Sequence, residues 1–440
     1  MLSVLLLAST FSIPQARAAE RELDEDAAPG SVEEIKTPIE RVIPKVEKKR
    51  PLFPRMRERI QDLPSFLADT TVEARYRTYY LRQDRSNDTL SEAWAMGGSI
   101  YYRSGWLEDV FALEAEGFTS QPVVAERSKR GTGLLEPVQN GYSVLGIANA
   151  KLRYAGLELT GFRQYLDLPY VNRRDNRMTP NTFESLVLAR TGGRLRFSGG
   201  YSWRVKLRAS DDFESFTKAI GLGRNRGLWH AGAIVTPVDG FDIGAVAAGV
   251  PDLFMGYYGE VDLARDLGGG LGVRLDSQFT YQADDGDDLL GDGLDNSWNV
   301  GLRASTSYGN ALGRLGVSVT SSQAAIVSLF GTSPSYVSLM QRTFTAKDEK
   351  ALLASVSYDF SGLGATGLSA IVNYVAAFDG ERGGESRDAQ TLDLTLDYRP
   401  KAGWLRDLWL RLRGSWLDED SAEQDGFDVR VILRYDFPVI

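Results

Sequence analysis

Few side chains in this 440-residue sequence can do covalent chemistry. It has no cysteine and a single histidine, His230, which rules out thiol nucleophiles, disulfides and Cys-ligated metal and leaves almost no room for His-based zinc or triad sites. No Gly-x-Ser-x-Gly elbow is present, and no enzyme is expected. The acidic run at 284–295 lacks the spaced ligands and closing glutamate of a calcium loop and reads as a solvated loop. The glycines at 131–133 and 221–227 do not follow a strand-to-helix phosphate cradle, so neither metal nor cofactor is expected. What the chain does offer is arginine at alternate positions: Arg75 and Arg77, Arg411 and Arg413, Arg430 and Arg434. A guanidinium stays charged at any working pH and presents a fork that fits carboxylate oxygens. Spaced along a wet wall, such groups pass an anion from site to site without trapping it. The same residues could form salt bridges that fix strand register, with Glu73, Asp393 and Asp397 on or beside their wall, and the two roles are compatible.

Alternation is what positions these arginines. From residue 71 onward Val72, Ala74, Tyr76, Thr78 and Tyr80 interleave with Glu73, Arg75, Arg77, Tyr79 and Leu81. Similar segments of about ten residues recur to the end of the chain. Leu392, Leu394, Leu396 and Tyr398 oppose Thr391, Asp393, Thr395 and Asp397, and Leu408, Leu410 and Leu412 oppose Trp409, Arg411 and Arg413. The pattern predicts about 18 strands of the length a tilted membrane-spanning strand needs. A soluble sandwich also alternates, and the connections decide between the two. Short ones (191–193, 237–240, 266–270, 309–312) alternate with long ones (83–91, 120–142, 166–183, 208–227, 283–296, 323–349, 378–388, 417–427). That is the signature of an all-β, antiparallel transmembrane barrel with short periplasmic turns and long extracellular loops. Tyr76, Trp94, Tyr154, Trp203, Trp298, Tyr308, Trp404 and Trp416 fall near strand ends, as interfacial girdles require. A closed barrel pairs its last strand with its first, so the six arginines should share one lumen wall.

The formal net charge of −9 argues against nucleic acid as a partner. After the first 13 residues no apolar run approaches 18, which excludes a helical membrane protein. Residues 1–18 are apolar up to Pro14 and end in Ala16-Arg17-Ala18, an A-x-A cleavage site. They read as a signal peptide for export through the periplasm, and the missing basic n-region fits a translation start further upstream. Residues 19–66 are charged and Pro-containing, and read as a disordered periplasmic tail. The barrel is expected over 67–440, in the outer membrane of a Gram-negative type of cell.

The sequence also carries longer stretches of a familiar kind: LPSFLADTTVEARYRTYYLR, EAWAMGGSIYYRSGW, GTGLLEP, RMTPNTFE and the terminal VRVILRYDFPVI. Over roughly residues 60–440 it resembles the OprD family of outer-membrane porins. The resemblance implies an 18-stranded barrel that passes small solutes, typically carboxylates and basic amino acids. It also implies a constriction made by inward-folded third and seventh extracellular loops beside a basic lumen ladder. The third loop carries Tyr170, Asn172, Arg173, Arg174, Asp175 and Arg177, and folded inward it would add a basic, hydrogen-bonding eyelet, the alternative being a loop on the outer surface. The seventh loop is too apolar for full solvation, because Leu329, Phe330, Tyr336, Leu339 and Met340 need cover. The lumen, lipopolysaccharide or a partner could supply that cover. Two departures from the family pattern are the long tail and the Arg-rich third loop, and the second leaves substrate choice open. The function expected is a passive, substrate-selective channel for carboxylates or amino acids. The alternatives are a general diffusion porin that selects by size alone and, from another class, a hydrolase barrel using His230. Expected partners are outer-membrane lipid and lipopolysaccharide, small anionic or zwitterionic solutes, and the barrel-assembly machinery during biogenesis, with the chain a monomer or a loose trimer.

Overall fold

A computed structural model describes residues 52–85, 89–287, 289, 294, 296–400, 403, 405–406, 408–420 and 425–440. The signal segment at 1–18, the tail up to residue 51 and the girdle candidate Trp404 lie outside the described residues. Two short helices, α1 (Pro54–Ile60) and α2 (Ser65–Ala68), precede the strands. The strands are β1 (Thr71–Arg85), β2 (Thr89–Arg103), β3 (Phe111–Ala125), β4 (Tyr142–Tyr154), β5 (Leu157–Gln164), β6 (Asp167–Leu168), β7 (Val171–Asn172), β8 (Thr182–Arg190), β9 (Leu195–Lys206) and β10 (Leu228–Val238). They continue as β11 (Phe241–Val250), β12 (Phe254–Asp266), β13 (Leu271–Ala283), β14 (Ser297–Tyr308), β15 (Ala311–Thr320), β16 (Lys350–Asp359), β17 (Leu368–Arg382), β18 (Glu385–Tyr398), β19 (Leu408–Glu419) and β20 (Gly426–Pro438). β6 and β7 form a small hairpin inside the third loop.

The other eighteen form one antiparallel sheet in which each strand pairs with the next. The sheet closes because β20 pairs with β1, in continuous register from Glu73 opposite Pro438 to Arg85 opposite Gly426. Closure leaves no strand edge, and an unpaired edge in hydrocarbon would cost several kcal/mol per orphaned N–H or C=O. All eighteen predicted strands are present. On β18 the parity is as read: Thr391, Asp393, Thr395 and Asp397 are buried inward, whereas Leu394 is 53% exposed on the outer face. Trp94, Tyr154, Trp298, Tyr308 and Trp416 also face out.

Three expectations change. Several strands run past the expected loop boundaries, and β17 and β18 meet in a hairpin at 382–385 where a loop at 378–388 was expected. Charge marked these stretches as loop, but a strand pair that has cleared the lipid no longer needs an apolar face to keep pairing. The tail expected to be disordered over 19–66 holds α1 and the start of α2 in its described part, residues 52–66. Nor is the acidic run simply solvated, since Leu294 is buried, Asp285 accepts the Asp252 N–H at 3.0 Å and Arg224 pairs with Asp287.

The barrel's apolar interior is made by loops packing on the inner wall. Leu166, Phe183, Phe216 and Phe330 form one cluster, Tyr79, Leu81, Leu134 and Met178 another, and Val337, Leu339, Phe344 and Leu353 a third. The seventh loop is thus folded inward, with Phe330, Tyr336, Leu339 and Met340 all buried.

With no native thiol, single cysteines report the parity. In proteoliposomes a charged, water-soluble thiol reagent should label Arg75→Cys at least tenfold faster than Leu394→Cys or Leu410→Cys. Equal rates, or the reverse order, would mean that the strand faces are misassigned.

Candidate pore wall and constriction

β19, β20 and β1 are neighbours, and their inward faces bring all six ladder arginines together. Arg413 stands opposite Arg430, Arg77 opposite Arg434, and Arg75 opposite Asp436. The order from the long-loop end towards the short-turn end is Arg430 with Arg413, then Arg411, then Arg434 with Arg77, then Arg75. Nearly every one meets a carboxylate. Arg411 grips Asp397 through Nε and Nη2 at 2.7 and 2.8 Å. Arg430 pairs with Asp428 at 3.0 and 2.9 Å. Arg434 and Arg75 share Asp436, and Arg413 donates to Thr395 Oγ1 at 3.1 Å. The register-fixing role read from the sequence is therefore present in the geometry. Trp409, also inward, donates to Asp397 at 2.8 Å and offers its ring face to Arg399, Arg411 and Arg434, the first two within 4.6 Å.

The third loop crosses to this wall. Pro169 and Tyr170 turn the β6–β7 hairpin, with Tyr170 at φ +63°. That left-handed conformation costs a bulky residue of order 1–3 kcal/mol, and it aims the phenol at Thr280 Oγ1, 2.8 Å away on the far wall. Asn172 reaches the seventh loop, donating to Thr332 O and accepting from Thr332 N. Asn181 donates to Phe330 O. The two inward loops thus form one unit.

Of the eyelet candidates, Asn172, Arg173, Arg174 and Asp175 keep partial exposure, whereas Tyr170 and Arg177 are buried. Arg173 pairs with Asp167 and stacks over Tyr165. Arg177 points into protein and donates to Thr132 O of the second loop at 2.8 Å. Asp175 bonds Arg77 at 2.8 Å. Burial alone would raise this carboxyl, but the Arg77 guanidinium, with Arg75 and Arg434 beyond it, pulls it down from 3.8 to about 2. Asp175 therefore latches the third loop onto the ladder.

The seventh loop is held harder still. Met340 N donates to Asp393 at 2.8 Å and its carbonyl accepts from Arg430. Arg342 and Arg382 share Glu349 and Glu419 in a four-charge network that is buried except at Arg382, which keeps partial exposure. Sequence reading missed this network, the second loop's part in the constriction, and Lys206, whose buried ammonium bonds Thr179, Leu207 and Ser210. Only parity could have flagged Glu419, and nothing local marks Arg342. His230 faces inward from β10, with Nε2 3.3 Å from Ser198 Oγ.

A family model described as outer membrane porin, OprD family, matches residues 64–439. Among curated proteins no sequence match is found. Solved structures do match. OccK9 (OpdG) of Pseudomonas aeruginosa is 23% identical, with 85% of this chain and 100% of that one covered at a TM-score of 0.78. OpdK of the same organism, solved with vanillate, is also 23% identical, over 84% and 99%, at 0.77. OccK2 (OpdF), again of Pseudomonas aeruginosa and in complex with glucuronate, is 19% identical, over 86% and 100%, at 0.76. At these identities the likeness is one of fold.

The Asp175 latch has a pH window. Its folded value lies below the ordinary one, so its hold on the loop is complete above about 3.8 and is lost as the pH falls through about 2. Single-channel current should become noisier or larger between pH 4 and about 2. Asp175→Asn should show the same at neutral pH, together with faster tryptic cleavage at Arg173 or Arg174. A variant as quiet and as resistant as the native protein would remove the latch.

Proposed function

Because the chain belongs to the OprD family of outer membrane porins, we propose that it is a passive, substrate-selective channel for small carboxylates or amino acids, guided by its lumen arginines. The family and the barrel fold place it in the outer membrane and point to a channel rather than an enzyme. The observation that carries the finer reading is six arginines on three adjacent strands, facing inward beside two loops folded into the pore. Vanillate and glucuronate, held by the two solved relatives, are carboxylates, which supports that solute class.

The chemistry follows from what each guanidinium already holds. Asp175 on Arg77 sits where a solute carboxylate would sit, and Asp436 shows that one carboxylate can be shared by Arg75 and Arg434. A solute would exchange with these internal carboxylates step by step towards Arg75, whose side chain is 31% exposed at the short-turn end. Arg173 and Arg174, in the loop that Asp175 ties to Arg77, would add to the constriction. The competing reading is a general diffusion pore in which the arginines serve register alone.

Arg75 and Arg434 share a wet carboxylate, so replacing both should leave the barrel folded. Each contact in a wet pore is worth roughly 1 kcal/mol. Arg75→Gln with Arg434→Gln removes two such contacts and should therefore slow carboxylate flux by roughly 30-fold, since 1.4 kcal/mol is tenfold. It should also shift the reversal potential towards cations in planar bilayers, and high salt should blunt the native preference. Native flux and selectivity in the double variant would leave the general pore as the reading.

A further inference from the structure

The channel reading makes no use of the segment that precedes β1. Phe53, Met56, Leu63 and Leu67 lie along α1, α2 and the turns beside them, and each is between 44% and 56% exposed. Such a stripe costs free energy in water. Between them stand Arg55, Arg57 and Arg59. From Lys45 to Arg59 the sequence carries Lys45, Lys48, Lys49, Arg50, Arg55, Arg57 and Arg59 against Glu47 and Glu58, a net charge of +5 in a chain whose total is −9.

The structure fixes where this stripe lies. Leu52 and Phe53 donate their N–H groups to Pro438 O and Val439 O, at 2.7 and 3.1 Å, beyond the point where β19 stops pairing with β20. At the other end α2 packs on the turn between β2 and β3. Gly105 N donates to Phe66 O at 2.9 Å, Ser65 Oγ to Trp106 O at 2.8 Å, and a Cβ on Gly105 would come within 2.0 Å of Ser65 O. The Phe66 ring stacks on Phe111 at 6.3 Å. Phe111 stands in register with Leu152, which is exposed on the barrel's outer face. The segment therefore runs along the lipid side of the short-turn rim, not under the pore.

We propose that residues 52–68 are an interfacial anchor, lying in the head-group layer of the periplasmic leaflet with Phe53, Met56, Leu63 and Leu67 in the acyl boundary and Arg55 and Arg59 on anionic phospholipid. The apolar stripe continues the lipid-facing surface at Phe111. The basic run is complementary in charge to an anionic leaflet. Short amphipathic segments with basic polar faces bind membrane surfaces by this combination.

The test uses the full chain in proteoliposomes, with spin labels at Met56→Cys, Leu63→Cys and, as control, Glu58→Cys. Labels at 56 and 63 should collide several-fold more with oxygen than with a water-soluble nickel chelate, and the label at 58 should show the opposite. Exchanging phosphatidylglycerol for phosphatidylcholine, or introducing Arg55→Glu with Arg59→Glu, should reduce the contrast at 56 and 63. Because β1 to β20 are untouched, heat-resistant barrel migration should be unchanged in every variant. Equal access of the chelate to all three sites would overturn the proposal. So would dipolar broadening at Met56 that persists whatever the lipid, since it would mean that a second copy covers the stripe.

Discussion

A sheet immersed in hydrocarbon cannot afford an edge, and the β1–β20 seam is where this chain satisfies that constraint. Much else follows from it. Closure forces the first and last strands together, and so joins Arg75 and Arg77 to Arg430 and Arg434 on one wall, although more than 350 residues separate them in the chain. Closure also turns every second residue away from lipid into a cavity too wide for side chains alone to fill. The loops fill it instead.

That filling explains why charge is concentrated inside. Each lumen arginine stands in a space partly closed by the third and seventh loops, where an unpaired charge would be costly. Asp397, Asp428 and Asp436 on the wall and Asp175 on a loop meet that cost. The Arg342, Arg382, Glu349 and Glu419 network does the same for the seventh loop. Replacing such a network by apolar groups need not weaken a fold, so its value here lies in orientation. It fixes one placement for a long loop whose backbone pairing with the rest of the barrel is limited to isolated bridges such as Val171 with Phe330 and Lys347 with Glu381. Apolar contacts such as Phe216 edge-on to Phe330, 4.8 Å apart, then complete the packing.

The sequence showed the wall far better than it showed the constriction, and for a physical reason. A strand repeats every two residues, so Arg411 and Arg413 against Leu410 and Leu412 disclose their face without reference to anything distant. The loops have no period. Asp175 finds Arg77 across 98 positions, and Arg342 finds Glu419 across 77. Composition did reveal that Phe330, Tyr336 and Met340 needed cover, because burial of apolar surface is a local demand. Which wall would supply it depended on contacts that no window contains. Arg173 and Arg177 looked equivalent as neighbours in a basic loop. A left-handed φ of 43° at Arg174 lies between them, and Arg177 is turned into protein while Arg173 keeps a wet edge.

The pairing of the ladder also bears on how a selective channel avoids trapping its solute. A bare guanidinium in a narrow pore would hold a carboxylate strongly, since attraction grows as the effective dielectric falls below that of water. On the proposed route nearly every arginine is already engaged by an internal carboxylate, and Arg413 by the Thr395 hydroxyl, so an incoming anion exchanges one contact for another and the well is shallow. Beside the six arginines stand Asp175, Asp397, Asp428 and Asp436, with Asp393 and Glu73 on or beside the same wall, so the charges nearly balance. Selectivity on this reading rests on which pairs a solute carboxylate can open. Arg75, at the exit end, shares its carboxylate with Arg434 and keeps a third of its surface exposed, so the last contact is also the most easily surrendered to water. On the proposed reading, internal pairing would let one set of residues both hold strand register and pass an anion, the two roles that the alternating arginines allowed from the start.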